Sequence, residues 1–140
     1  MKLVFEAKSI NESFARMCVS AFASQYDPKI SVIADIKTVI SEAVTNSIVH
    51  GYKEEADRSS CLIYINCCMY EDGTLMMKIK DKGCGIKDIK TAMQPLFTTD
   101  TENERSGMGF TIMESFTDRI KVTSKVGKGT TVKLLKKVFD

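Results

Sequence analysis

In the stretch SEAVTNSIVHGY, residues 41–52, Glu42 and Asn46 stand four apart among helix formers and small apolar residues. Side chains at i and i+4 of a helix share a face one turn apart, so this carboxylate and this amide project together. Downstream, Asp81-Lys82-Gly83-Cys84-Gly85-Ile86 places an aspartate at the end of an apolar run, followed by glycines at alternate positions. The carboxylate can accept a hydrogen bond from an exocyclic amine, and glycine permits positive φ and close approach by a ligand. In Arg105-Ser106-Gly107-Met108-Gly109-Phe110, two more alternate glycines open a predicted helix. The unpaired N–H groups of a helix start lie at the positive end of its dipole and bind phosphate. A fourth segment, Gly127-Lys128-Gly129-Thr130-Thr131, is a turn followed by two hydroxyls. Singly, each has an ordinary explanation: a solvated helix face, a turn after a strand, a flexible helix entry, a hairpin turn.

The elements that must position these residues follow from periodicity. MKLVFEA alternates apolar and polar residues and predicts a strand. Ser9 or Asn11 can cap a first helix, whose Phe14, Met17, Cys18, Ala21 and Phe22 form an apolar stripe. Asp27-Pro28 predicts the start of a second helix, with Asp as N-cap and Pro at the first helical position. Its core face carries Val32, Ile33, Ile36, Val39, Ile40, Ala43 and Val44, and its end is expected at His50-Gly51 with glycine as a left-handed cap. CLIYINCCMY, Glu71-Asp72-Gly73 and TLMMKIKD read as a hairpin. GMGFTIMESFTD reads as a helix, and RIKVTSKV, GKG and TTVKLLKKV as a second hairpin. The order β-α-α-β-β-loop-α-β-β predicts an α+β fold: a two-layer sandwich with helices on one face of a mostly antiparallel sheet.

The bulk properties bound the function. The 140 residues suggest one domain, 1–140. Net charge is +2, from 20 basic and 18 acidic residues, too balanced to argue for nucleic acid or a membrane surface. The five cysteines form no C-x-x-C, and Cys67 and Cys68 are adjacent, so they read as reduced thiols packed as small apolar groups. The opening MKLVFEAKSI lacks the apolar core of a signal peptide, and no segment offers the roughly 20 apolar residues of a membrane span. The expectation is a soluble, cytoplasmic protein.

Taken in order, the E-x-x-x-N helix, D-x-G-x-G, G-x-G at a helix start and G-T-T resemble the nucleotide-binding boxes of the GHKL superfamily. Its members include DNA gyrase B, Hsp90, MutL and the histidine kinase catalytic domain. NESFAR (11–16), IKTVISEAVTNSIVHGY (36–52), QPLFTT (94–99) and ERSGMGFTIMESF (104–116) are further similar to the anti-sigma F family of spore-forming bacteria. The resemblance runs end to end. The loop 53–60, Cys61, Cys67, Cys68 and Cys84 depart from the family pattern without removing a polar group that the chemistry needs.

The resemblance implies the GHKL (Bergerat) ATP-binding fold, with ATP/ADP and Mg²⁺ as cofactors. It implies that Asn46 ligates Mg²⁺ and that Glu42 is the general base towards a serine of a protein substrate. Asp81 would read the adenine amine with Thr130 beside it, and Gly83 and Gly85 would let the base approach. Residues 98–109 would close over the phosphates, with Thr98, Thr99, Ser106, Gly107, Met108 and Gly109 on the nucleotide and Arg105 facing the γ-phosphate. The implied partners are sporulation sigma factor F, the anti-anti-sigma factor that is phosphorylated, and a second copy in a homodimer through the first strand and helix. Arg16 would contact partners.

The expected function is therefore an anti-sigma factor and protein serine kinase. An ATP/ADP-sensing module that sequesters a sigma factor with little catalysis stays open beside it. A histidine kinase catalytic domain fits less well, because no phosphoacceptor helix is visible. His50, at the end of the Glu42 helix, does not suit phosphoacceptance for the same reason. The basic residues from Arg119 to Lys137 read as a solvated sheet face or blunted edges rather than a nucleic-acid site.

Overall fold

A computed structural model describes residues 1–94 and 109–140. Along the chain run β1 (Lys2–Glu6), α1 (Ile10–Ser24), α2 (Ile30–Asn46), a π-helical turn (Ser47–Gly51), β2 (Leu62–Met69), β3 (Thr74–Asp81), α3 (Ile89–Ala92), α4 (Phe110–Ser115), β4 (Arg119–Lys125) and β5 (Gly129–Lys137). The strands form one sheet in the order β1-β2-β3-β5-β4, with every neighbouring pair antiparallel. This is the two-layer α+β arrangement that the element order predicts.

Alternation along the strands divides the sheet into two faces. Ile63 and Ile65 of β2, Leu75, Met77 and Ile79 of β3, and Leu134 of β5 are fully buried. Against them pack Ile36, Val39, Ile40, Ala43 and Val44 of α2, with Phe110 and Met113 of α4. Each such large apolar side chain contributes about 1.5–3 kcal/mol on burial, so the α2–sheet contact is the main stabilising layer. Among the described residues, no helix is long and apolar enough to cross a membrane.

Four local readings change. On α1 the buried residues are Ala15, Val19, Ser20 and Ala23, whereas Phe14 and Met17 are 50% and 66% exposed. Small residues let α1 approach α2 closely, and the larger ones are left pointing outward. The second helix begins at Ile30 rather than Pro28, because Asp27 turns the chain at φ 52° and Lys29 is still extended. Aspartate is among the few side chains that enter the left-handed region readily. At the other end α2 stops at Asn46 and continues as a π-helical turn, closed by Tyr52 N–H donating to the Ser47 carbonyl at 3.0 Å. Gly51 is not a left-handed cap, and the reason for a glycine there lies in the site below. The short α3, capped by the Asp88 side chain on Thr91 N–H, was not expected.

Candidate functional site

The π-helical turn re-aims the end of α2 towards the ends of β3 and β5. The pocket formed there is lined by Asn46, Ser47, His50 and Gly51 from the helix end, Asp81 from β3, Cys84, Gly85 and Ile86 from the following loop, and Thr130 and Val132 from β5. Ala43 and Phe110 complete an apolar wall. A mostly apolar slot with a few fixed polar groups is the usual form of a small-molecule site. π-Helical turns recur at functional sites because the extra residue redirects side chains.

Asp81 is the polar centre. It is the last residue of β3, in register with Thr130, and only 4% exposed. Its carboxylate accepts from Ser47 Oγ at 2.9 Å and from Gly83 N–H at 2.9 Å. Burial pushes its pKa up; the hydrogen bonds from Gly83, Ser47 and Thr130 oppose this. Each carboxylate oxygen can accept a further bond, so the group can still receive an amine.

The surrounding glycines are fixed by packing of chain on chain. A Cβ on Gly51 would lie 3.0 Å from the Asp81 carboxyl carbon. A Cβ on Gly83 would overlap the Gly51 carbonyl, which also accepts from Cys84 N–H at 2.7 Å. Gly83 thus stands behind the pocket, whereas Gly85, at φ 77°, lines it with its own back against the Lys125 carbonyl. The Tyr52 hydroxyl staples this corner: it accepts from Lys82 N–H at 2.8 Å and donates to the Leu62 carbonyl at 2.6 Å. Ser124 Oγ, 2.8 Å from Thr130 Oγ1, accepts from Ile86 N–H at 2.7 Å.

One turn before Asn46, Glu42 is half-buried, and burial raises its pKa. It meets Gly109, the left-handed residue at φ 61° that precedes α4, where a Cβ would overlap Glu42 Oε2. Glu42 and Asn46 therefore follow the inner edge of α2, with Asp81 and Thr130 at the far end of the same site.

Of the residues expected on the nucleotide, Asn46, Asp81, Gly85 and Thr130 come together in the pocket. Glu42 and Gly109 adjoin one another beside it. Thr98, Thr99, Arg105, Ser106, Gly107 and Met108 lie outside the described residues. Arg16 is remote, on α1, where its guanidinium donates to Ser41 Oγ at 3.3 Å and lies 3.4 Å from Glu12. Ser41 in turn donates to the Glu12 carboxylate. Sequence reasoning missed Ser47, Tyr52 and Ser124. A signal existed for Ser47, which continues the buried positions 36, 40 and 43 of α2 and is a polar residue on an apolar stripe.

The chain matches the family model described as "Histidine kinase-like ATPase domain" over residues 5–136. It is 54% identical over 136 residues to an anti-sigma F factor of a Geobacillus species, spanning 97% of this chain and 90% of that protein. To an anti-sigma F factor of Clostridium acetobutylicum it is 50% identical over 139 residues, spanning 99% and 93%. Among solved structures, the RsbU and RsbW domains of a Mycobacterium tuberculosis protein align with a TM-score of 0.66 at 19% identity, over 99% of this chain and 31% of that one. The histidine kinase domain of an Erythrobacter litoralis blue-light-activated kinase aligns with a TM-score of 0.59 at 15% identity, over 91% and 60%. At such identities these two structures speak to the fold alone.

Proposed function

Because the chain belongs to the anti-sigma F factors within the histidine kinase-like ATPases, we propose that it holds sporulation sigma factor F inactive and, as an ATP-dependent protein serine kinase, phosphorylates and inactivates its anti-anti-sigma factor. The observation that carries this reading is the shared inner edge of α2. A half-buried Glu42 stands one turn from Asn46, and the pocket beyond holds the buried Asp81.

In this reading Asp81 accepts the exocyclic amine of adenine, with its carboxylate held in place by Ser47 and Gly83. Asn46 supplies an amide oxygen, a hard donor suited to Mg²⁺. Among the described residues no three His, Cys, Asp or Glu side chains cluster to form a metal cage; phosphate oxygens and water would complete the shell, as Mg²⁺ favours. Bound there, the ion would neutralise charge on the phosphates. Glu42 takes the proton from the substrate serine as the serine oxygen attacks the γ-phosphorus, and ADP leaves with the electron pair of the broken P–O bond. Its burial raises its proton affinity towards that of a working base. Phosphoryl transfer depends mainly on positioning and charge neutralisation, and these residues supply both.

The proposal extends to partners. Val4, Ile10, Phe14 and Met17 leave an apolar surface on β1 and α1 that is 54%, 79%, 50% and 66% exposed residue by residue, which supports a homodimer through this region. Arg16, held between α1 and α2 by Ser41 and Glu12, is presented in a fixed position for a partner. The same reading takes 1–140 as one cytoplasmic domain.

The test is transfer of labelled phosphate from Mg-ATP to the anti-anti-sigma factor, comparing wild type with Glu42→Gln. Transfer by wild type alone supports the kinase and the role of Glu42 together. ATP binding without transfer by wild type would leave sequestration as the function.

A further inference from the structure

The face of the sheet turned away from α1 and α2 carries a basic row that no ion pair neutralises among the described residues. Strand register places Lys2, Asn66, Lys78, Lys133 and Lys121 side by side across β1, β2, β3, β5 and β4. All four lysines are exposed, and none forms an ion pair among the described residues. Neighbouring strands are about 4.8 Å apart, so the ammonium groups of Lys78, Lys133 and Lys121 compete for the same space. Like charges directly opposite one another destabilise a sheet.

Protection against edge-to-edge pairing accounts for Lys2 and Lys121, which lie on the edge strands β1 and β4. It does not account for Lys78 and Lys133, which lie on the interior strands β3 and β5. Among the strand residues of this face the one acid is Glu6, on the edge strand β1, and Lys8 engages it at 2.6 Å. Among the described residues, therefore, no ion pair relieves the repulsion in the middle of the sheet.

Beside this row runs a second one, Cys68, Met76, Leu135 and Arg119, in register across β2, β3, β5 and β4. Met76 and Leu135 are half-buried and form a shallow apolar strip parallel to the lysines. We propose that this face is a docking surface for an acidic polypeptide segment whose carboxylates meet Lys78, Lys133 and Lys121 while its apolar side chains lie on Met76 and Leu135.

Charge complementarity selects an anion, and the apolar strip selects a polypeptide. Single-stranded nucleic acid needs aromatic platforms for its bases; among the strand residues of this face the aromatic is Tyr64, which is half-buried with the Lys82 ammonium 5.2 Å from its ring centre. A membrane surface needs apolar side chains that protrude into the bilayer boundary, and Met76 and Leu135 are half-buried, flanked in register by Cys68 and Arg119.

The test uses the full chain and two synthetic peptides of equal length and charge, one of glutamate and serine, the other of glutamate and leucine. Binding is followed by fluorescence anisotropy for wild type and for the double variant Lys78→Gln/Lys133→Gln, with a duplex DNA oligonucleotide in parallel. The expected result is tighter binding of the leucine peptide than of the serine peptide, weakened about tenfold in the double variant. Equal binding of the two peptides, unchanged binding by the variant, or tighter binding of the DNA would each overturn the proposal. Thermal melting provides a second readout: removing unrelieved repulsion should raise the midpoint of the double variant, and a fall would show that the row is not under electrostatic strain.

Discussion

The two ends of the proposed nucleotide site are built in opposite ways. At the Asp81 end, a buried carboxylate is fixed by Ser47 and Gly83, the Tyr52 hydroxyl ties Lys82 to Leu62, and Gly51 and Gly83 meet with no room for a side chain. At the Glu42 end, the carboxylate is half-buried, and among the described residues no hydrogen bond holds it. The Asp81 carboxylate is thus preorganised, while the group assigned to the proton has lone pairs that no donor takes up among the described residues. A base already saturated by protein donors would have its pKa lowered and would be a weaker proton acceptor. Burial without hydrogen bonding does the reverse.

The sharpest break in this contrast is Glu42→Gln. It should lower phosphate transfer by roughly 10²–10⁴-fold while ATP affinity, measured by calorimetry, stays near wild type; equal transfer would remove Glu42 from the chemistry. At the other end, Asp81→Asn keeps the shape but turns an acceptor into a donor. The Ser47 hydroxyl can reverse its bond, whereas an adenine amine cannot, so ATP affinity should fall by about 10–100-fold, equivalent to about 1–3 kcal/mol for an unsatisfied buried group. A variant that binds ATP normally would place adenine elsewhere. Asn46→Ala should weaken ATP binding only when Mg²⁺ is present, and identical affinities with and without the ion would contradict its proposed role.

pH separates the two carboxylates further. The raised pKa of Glu42 should move the acid limb of the transfer rate above the usual glutamate range, with activity rising as the carboxylate loses its proton. Asp81 acts on stability with the opposite sign. Its folded-state pKa is raised, so the native state holds the proton more tightly than the unfolded chain does. The unfolded state therefore ionises first, and stability falls as pH rises from the ordinary aspartate value through the raised one. Asp81→Asn should flatten that part of the melting profile. The smallest expected effect is that of Arg16→Ala, whose half-exposed contacts with Glu12 and Ser41 contribute below about 1 kcal/mol. Its partner binding, read by pull-down, should suffer far more than its melting temperature.

The fold was legible wherever a period was long and clean. The stripe of α2 and both hairpins follow the sequence closely, because burial on one side selects the register. The α1 stripe misled, because Phe14 and Met17 obey helical spacing but point away from α2. Periodicity gives a face, not what the face meets. In the site, Glu42, Asn46, Asp81 and Thr130 were visible as polar residues at telling positions. Gly51 and Gly83 were visible as glycines but for the wrong reason: what excludes a side chain there is contact between segments distant in sequence. Tyr52 and Ser124 gave no signal, since their hydroxyls act on backbone groups that only the folded chain brings near.

The strand order carries a consequence for how the chain assembles. Two local hairpins, β2–β3 and β4–β5, meet along the β3–β5 seam, and Asp81 and Thr130 face each other at one end of that seam. Closing it requires contacts between residues far apart in the chain, which are the late and entropically costly ones in folding. In the proposed site, a nucleotide held between Asp81 and Thr130 would clamp the joint between the two hairpins. Saturating ligand would protect the amides along β3 and β5 from hydrogen exchange well beyond the atoms it touches, making the cell's adenine nucleotide supply a factor in the protein's lifetime as well as its activity.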